Sequence, residues 1–115
     1  MLVALRSSTM STPNRWELPG GKVEPGESDA HALTRELREE LDIRVEIQEL
    51  LGCSRFGPIE LVAYTARLLE GVPYPVQHAE LRWVTASELD QLHWADADLP
   101  LLPALRDTIS AEEPS

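Results

Sequence analysis

Residues 28–41 constrain this chain most, because they combine an apolar stripe with a row of glutamates. Ser28 is a candidate N-cap, and the helix that it opens is predicted to end near Leu41. At about 100° per residue, the apolar residues share one arc and three carboxylates share an adjacent arc of roughly 100°. The apolar residues are Ala30, Leu33, Leu37 and Leu41, and the carboxylates are Glu36, Glu39 and Glu40. One side of the helix should therefore pack on a core while its neighbouring side presents negative charge at the edge.

Three neighbouring glutamates repel one another and weaken a helix by a few tenths of a kcal/mol per pair. A hard divalent cation would compensate, since Mg²⁺ binds carboxylate, water and phosphate oxygens. On the glutamate spacing alone, a solvated acidic face supported by Arg35 and Arg38 is the simpler interpretation. The glutamates by themselves do not identify a metal site.

The residues before the helix favour the metal interpretation. Glu27 lies nine residues before Glu36, after a glycine-rich loop, and can reach the same face. Gly20 and Gly21 allow the backbone to approach a ligand and to offer it a carbonyl. Arg35 falls beside the glutamates on the helix, where it can pair with and orient a carboxylate.

Together these residues resemble the Nudix box, whose pattern is Gly, five residues, Glu, seven residues, then Arg-Glu-apolar-any-Glu-Glu-any-Gly-apolar. Within residues 21–43 the chain matches it at Gly21, Glu27, Arg35, Glu36, Leu37, Glu39, Glu40 and Ile43. The lead-in at residues 16–20 is similar to that of MutT-like members, and a weaker similarity to MutT-like and CTP pyrophosphohydrolase-like members extends to about Arg106. The resemblance implies one Nudix domain over residues 1–115, of class α/β, with a mixed β-sheet sandwiched between helices.

The resemblance also implies a chemistry and a role for each residue. The implied ligands of Mg²⁺, or of Mn²⁺ in its place, are the Gly20 carbonyl, Glu36, Glu39 and Glu40. Glu27 is implied as a supporting or water-orienting carboxylate and Arg35 as the residue that positions the others. The implied reaction is Mg²⁺-dependent hydrolysis of a (deoxy)nucleoside triphosphate to the monophosphate and pyrophosphate, in nucleotide-pool housekeeping.

Two alternatives to this function stay open. An ADP-ribose or nucleotide-sugar hydrolase of the same family usually carries extra segments for which 115 residues leave little room. A non-catalytic nucleotide-binding module is disfavoured by the intact box and favoured by the front of the chain, where the usual first strand of the family is apparently lacking. We expect the native product to begin upstream of Met1, and the strand at residues 1–5 to have an unpaired edge that could recruit another chain.

The chain departs from the family's pattern at two further points. Asp42 replaces the box glycine, in a position after the helix that is expected to be left-handed. Gln77 stands where MutT-like members often carry a metal-binding glutamate, so the number of metal ions and the general base stay open. Glu80 could serve as that base, or it could be an exposed charge entering a strand.

Candidates for substrate binding lie outside the helix. Asp98 either reads the edge of a base or is the N-cap of the last helix, and the two roles are compatible. Arg6, Gly21 and Lys22 are candidates for the phosphates, with Arg15 as a further cation. The aromatic ring of Trp94 fits core packing better than stacking on a base. Ser11 stands where MutT-like members that act on oxidised purines carry a histidine, which favours a pyrimidine or a broad specificity.

Composition limits the classes of binding partner and the cellular compartment that are expected for this chain. The net charge of −10 disfavours a nucleic-acid polymer, which would require a basic patch, and suits a small phosphorylated substrate whose charge a metal ion bridges. Cys53 is the single cysteine, expected as a small buried residue in a reducing cytoplasm. No run approaches the ~20 apolar residues of a membrane helix. A monomer or a homodimer is expected.

The remaining elements are predicted from local pattern. Strands are expected at residues 1–5, 16–18, 45–51, 59–69 and 81–84, with the third and fourth paired as a hairpin. Thr85 and Glu88 resemble a capping box that opens a short helix through Leu92, and a last helix is expected from Asp98 to about Ile109.

Overall fold

The computed structural model describes residues 1–20 and 25–112, with side chains for all of these except residues 59, 111 and 112. Within these ranges, five strands and two α-helices follow one another, with two short 3₁₀ helices, Ala86–Gln91 and Asp96–Leu101, before the last α-helix. The strands are β1 (Leu2–Leu5), β2 (Trp16–Glu17), β3 (Arg44–Phe56), β4 (Ile59–Glu70) and β5 (Glu80–Trp83), and the α-helices are α1 (Asp29–Leu41) and α2 (Leu102–Glu112). The predicted order of strands and helices is confirmed. β3 continues to Phe56, beyond the predicted end at residue 51, and the last α-helix begins at Leu102 and not at Asp98, because residues 96–101 form a 3₁₀ helix. None of the described helices is long and apolar enough to cross a membrane.

The described strands form a three-stranded antiparallel sheet, in the order β2-β1-β5, and the antiparallel hairpin β3-β4. Trp16 of β2 also forms a parallel bridge with Trp94, so the sheet that contains β2 has both antiparallel and parallel pairing. All four residues of β1 pair with β5, and Ala4 and Leu5 also pair with β2. β1 is therefore the central strand of its sheet. The expectation that residues 1–5 have an unpaired edge is wrong for the edge that faces β5, and it is wrong for Ala4 and Leu5 on the edge that faces β2.

Helix α1 begins and ends as its sequence predicts. The Ser28 side chain accepts a hydrogen bond from the His31 N–H at 3.2 Å, which caps the first turn. Asp42 follows the last turn with φ 57° and ψ 42°, in the left-handed conformation that the missing glycine would have adopted. Gly71, which follows β4, packs against this turn. A Cβ atom on Gly71 would lie 2.8 Å from the Asp42 carbonyl oxygen, so position 71 requires glycine.

Two apolar clusters hold these elements together. The smaller one places Leu37 and Leu41 of α1 against Ile43 and Val45, so the predicted apolar stripe packs on the start of β3. The larger one joins β1, the 3₁₀ helices and α2, and it contains Trp94 at 2% exposure. Trp94 Nε1–H donates to a backbone carbonyl there, which confirms the core-packing interpretation. Cys53 is exposed on β3, and the expectation that it is buried is wrong, because its neighbour Ser54 takes the inward position.

Candidate active site

Arg35 gathers three of the predicted carboxylates around one guanidinium group. Its Nε and Nη2 donate to the two oxygens of Glu27 at 2.8 and 3.0 Å, a two-point contact. Its Nη1 donates to Glu36 at 2.9 Å and to Glu39 at 3.2 Å. The planar guanidinium suits this task because it offers five N–H groups in a fixed fork. The loop glutamate and the helix glutamates are thus held on one face of α1.

Glu40 is the buried member of the cluster, at 8% exposure. Burial raises its pKa to about 7, with nearby Glu36 and Glu17 adding to the shift and His78 opposing it. Within the described ranges its Oε2 atom has no hydrogen-bond partner. A buried carboxylate oxygen without a partner is costly, and a cation is one of the groups that can satisfy it.

The donor set around Arg35 fits a hard divalent cation. Glu36, Glu39 and Glu40 supply carboxylate oxygens, which such ions prefer, and Glu40 Oε2 has spare capacity. The Gly20 backbone passes close to α1, since a Cβ atom built on Gly20 would lie 3.4 Å from Leu33 Cδ1. Among the residues that the structure describes, no three His, Cys, Asp or Glu side chains are arranged to hold an ion. Glu27, Glu36 and Glu39 each direct an oxygen at Arg35.

A pocket of about 230 Å³ lies between the β1–β2 loop, the tip of the hairpin and the 3₁₀ helix that precedes α2. It is lined by Arg6, Ser11, Thr12, Glu17, Phe56, Leu61 and residues 95–98. Thr12 has φ 50°, a left-handed conformation that β-branched residues rarely adopt and that concentrates at ligand sites. The volume suits a nucleobase rather than a whole nucleotide.

Asp98 is buried at the end of this pocket, at 4% exposure. Its Oδ2 accepts the Leu18 N–H at 2.9 Å, which ties it to the strand that leads into the glycine-rich loop. The prediction that Asp98 caps the last helix is wrong, because the 3₁₀ helix begins at Asp96 with Ala95 as its N-cap. Burial raises the pKa of Asp98 to about 6, and the hydrogen bond from Leu18 limits the shift.

Two functional candidates that the sequence analysis missed are Glu17 and His78. Glu17 accepts hydrogen bonds from Arg6 Nη1 at 2.6 Å and pairs with His78 Nε2 at 2.9 Å. The available signal was a charged residue in a strand beside a buried tryptophan, within the same Trp-Glu-Leu-Pro-Gly segment that resembles the family. His78 lies 61 residues away from its partner, and no local pattern reveals that contact.

The other residues that the sequence proposed for the site lie partly in the pocket and partly outside it. Arg6 lines the pocket, whereas Arg15 Nη1 donates to the Trp94 carbonyl at 3.1 Å behind it. Gln77 is exposed, and Glu80 is half exposed on β5, where it pairs with Arg82 at 3.0 Å. Glu80 thus takes the alternative role of an exposed charge entering a strand. Gly21 and Lys22 lie outside the described residues.

A wider depression of about 730 Å³ runs along α1 and is lined in part by Arg35, the residue that holds the glutamates. Its lining includes Arg38, and also Arg44 and Glu70, which pair with each other at 3.0 Å. The smaller pocket differs from this depression because its lining includes a buried carboxylate, Asp98, and an aromatic side chain, Phe56.

The chain is similar to known proteins of one family. The NUDIX domain family matches residues 1–105. The chain is 40% identical to the putative 8-oxo-dGTP diphosphatase 2 of Mycobacterium tuberculosis, over 96% of this chain and 82% of that protein. It is 37% identical to the CTP pyrophosphohydrolase of Escherichia coli, over 90% and 80%.

Among solved structures, the Escherichia coli ORF135 protein superposes with a TM-score of 0.82 at 36% identity, over 99% of this chain and 84% of that one. The family match covers more than half of the chain, and the relatives are aligned over most of their length. The α/β Nudix fold that the sequence predicts is therefore confirmed. The chain belongs to the Nudix family, and it is a Nudix hydrolase.

Proposed function

We propose that this hydrolase cleaves a nucleoside triphosphate into the monophosphate and pyrophosphate, with Mg²⁺ or another divalent cation bound at α1. The observation that carries the proposal is the arrangement around Arg35. One guanidinium holds Glu27, Glu36 and Glu39 next to the buried Glu40, whose Oε2 has no partner in the described part of the chain. Four carboxylates held this way suit a reaction on a polyphosphate only if a cation offsets their charge.

Glu36, Glu39 and Glu40, with the Gly20 carbonyl, would hold the cation. When bound, such an ion neutralises charge on the phosphates and lowers the pKa of a coordinated water. Mn²⁺ also accepts carboxylate and water ligands and would serve in its place. Arg35 competes with the ion for the oxygens of Glu36 and Glu39, so binding should shift those two side chains and leave Glu27 on the guanidinium.

We infer that Glu27 orients the attacking water. Its two oxygens accept hydrogen bonds from Arg35 Nε and Nη2, and a carboxylate is an acceptor-only group toward which a water can donate. The two-point contact fixes the plane of the carboxylate, so a water bound to it is held in one direction. Arg35 thereby acts on the reaction through Glu27, and the chemistry requires no covalent nucleophile from the protein.

The pocket between the β1–β2 loop and the hairpin would take the base. An ionised Asp98 accepts hydrogen bonds and suits a base with an exocyclic amino group, and the nearby ring of Phe56 offers a stacking surface. The substrates that two relatives are named for, CTP and 8-oxo-dGTP, both carry such an amino group. Arg6, Gly21 and Lys22 are proposed for the phosphates, the last two on sequence grounds alone.

The test of this function is a panel of substrates with product analysis. The panel comprises CTP, dCTP, ATP, GTP, UTP and 8-oxo-dGTP, with ADP-ribose and UDP-glucose as representatives of the other substrate classes. The highest kcat/KM is expected for a triphosphate, with pyrophosphate and not phosphate released. A preference for ADP-ribose or UDP-glucose, or no hydrolysis of any compound with Mg²⁺ or Mn²⁺, would contradict the proposal.

A further inference from the structure

The imidazole of His78 is enclosed between the pocket wall and the C-terminal end of α1. Its side chain is 1% exposed, and its Nε2 lies 2.9 Å from Glu17 Oε2. Among the described residues its Nδ1 has no hydrogen-bond partner. The bond to Glu17 is therefore the one hydrogen bond of this buried ring within residues 1–20 and 25–112, and it is short.

Glu17 joins the imidazole to a cation on the far side. Its Oε1 accepts from Arg6 Nη1 at 2.6 Å while its Oε2 faces His78. Burial raises the pKa of Glu17, but the hydrogen bonds from His78 and Arg6 outweigh it and leave the pKa below the ordinary value. An ionised carboxylate only accepts hydrogen bonds, so His78 Nε2 carries the proton and donates.

Arg6 connects Glu17 to Ser11 in the wall of the pocket. Its Nε donates to the Ser11 carbonyl oxygen at 2.6 Å and its Nη2 to the Ser11 hydroxyl at 3.0 Å. Arg6, Ser11 and Glu17 all line the pocket proposed for the base. A chain of side-chain hydrogen bonds thus runs from the enclosed imidazole to the open wall of the site.

The backbone around His78 is fixed on two sides. The Val76 N–H donates to the Glu40 carbonyl at 3.2 Å, and the Ala79 N–H donates to the Leu5 carbonyl at 2.9 Å. The first bond ties the segment to α1 and the second ties it to the central strand β1. His78 is consequently anchored to the scaffold. The Arg6 backbone is paired with Arg15 and Asn14, and its side chain is held by Glu17 and Ser11.

We propose that His78 is a positioning residue for substrate binding, which holds Glu17 and, through it, Arg6 in the pocket wall. The inference rests on the proposed function, because it assumes that this pocket binds the base of the nucleotide. His78 does not itself line that pocket, so its effect reaches the substrate only through Glu17 and Arg6. Its loss should weaken substrate binding more than it slows the chemical step.

The kinetic test compares His78→Leu, His78→Gln and the control His93→Leu, which removes an exposed histidine. His78→Leu should raise KM for the best triphosphate about 10-fold and change kcat by less than about threefold. In His78→Gln the amide N–H can replace Nε2–H, so KM should stay within about threefold of the unchanged protein. An unchanged KM in His78→Leu, or an equal loss of kcat in a folded protein, would overturn the role.

A second measurement requires no turnover. In the metal-free protein, ¹⁵N NMR should detect a proton on His78 Nε2 and a slowly exchanging Arg6 Nε–H. The Arg6 signal should move to the position of a free side chain in His78→Leu and stay in place in His78→Gln. If the unaltered protein carries the His78 proton on Nδ1, or if the Arg6 signal ignores both substitutions, His78 does not position Arg6. If the NMR result is as expected but no substrate is hydrolysed, the proposed function is wrong, whereas the contact of His78 with Glu17 and Arg6 is confirmed.

Discussion

Arg35 holds Glu27 through two hydrogen bonds, of 2.8 Å from Nε to Oε2 and 3.0 Å from Nη2 to Oε1. Glu27 stands just before the N-cap Ser28 and Arg35 stands within α1, so the contact joins the residue that precedes the cap to the helix. Both side chains are largely buried, at 12% exposure for Glu27 and 22% for Arg35. The pair therefore fixes Glu27 relative to the carboxylates that the proposed cation would bind.

Replacement of Arg35 by lysine should lower kcat by roughly 10- to 100-fold, because a point charge cannot make the two-point contact that orients Glu27. KM for the triphosphate should change less. Arg38→Lys, on the exposed side of the same helix, is the matched control and should leave kcat within about twofold. An Arg35→Lys variant as fast as the control would show that the orientation of Glu27 is not needed.

Glu39→Gln and Glu40→Gln should each lower turnover by at least ~100-fold, since each removes a charge and a proposed ligand from the site. Both variants should fold, because the substitutions relieve repulsion among the helix glutamates. Titration with Mn²⁺ should show weaker binding in both. Glu46→Gln, on the exposed face of β3, removes the same charge elsewhere and should have no effect. Near-normal Mg²⁺-dependent activity in both helix variants would refute the metal assignment.

Asp98→Ala should alter the preference among bases more than the requirement for Mg²⁺. A hydrogen bond to a charged acceptor is worth about 1.5–3 kcal/mol, so discrimination for bases with an exocyclic amino group should fall by roughly 10-fold or more. The measurement is kcat/KM for CTP against UTP, and for GTP against ITP. If all four nucleotides slow equally while the melting temperature drops, Asp98 has only a structural role through Leu18.

Asp98→Asn should stabilise the protein near neutral pH and not in acid. The pKa of Asp98 is raised from 3.8 to about 6 in the folded state, so folding favours the protonated form. Stability from this group is present below about pH 4 and is lost as pH rises to about 6. Asparagine stays neutral and keeps an acceptor for the Leu18 N–H, so Tm at pH 7 should rise by a few degrees, for a gain on the order of 1 kcal/mol. The gain should vanish near pH 3.5, and exposed Asp107→Asn should show neither effect. A gain independent of pH would contradict the assigned cause.

Local pattern was sufficient to predict α1 and its termini. The cap at Ser28, the left-handed Asp42 and the side-by-side placement of Glu36 and Glu39 follow from helix periodicity and from the backbone preference at a helix end. The hairpin β3-β4 is likewise local, because its strands adjoin across the turn at Gly57. These are the features that short-range residue spacing determines.

The pocket was not predictable in this way, because it assembles residues that are distant in the chain. Asp98 satisfies an N–H that lies 80 residues earlier, so a pattern that resembles a helix cap became a tertiary contact instead. His78 and Glu17 meet across 61 residues, and each looks like an ordinary surface polar residue in its own segment. The inward and outward faces of β3, on which Cys53 was misplaced, also depend on packing partners beyond the strand.

The most direct test of the central claim is ³¹P NMR of one reaction followed with time. The enzyme is mixed with its best triphosphate and Mg²⁺, and a parallel sample contains excess EDTA. The account predicts that the nucleotide signals convert to those of the monophosphate and pyrophosphate in equal amounts, only in the sample with Mg²⁺, and that Glu40→Gln abolishes the conversion. Release of inorganic phosphate with a nucleoside diphosphate, or equal conversion in EDTA, would contradict it.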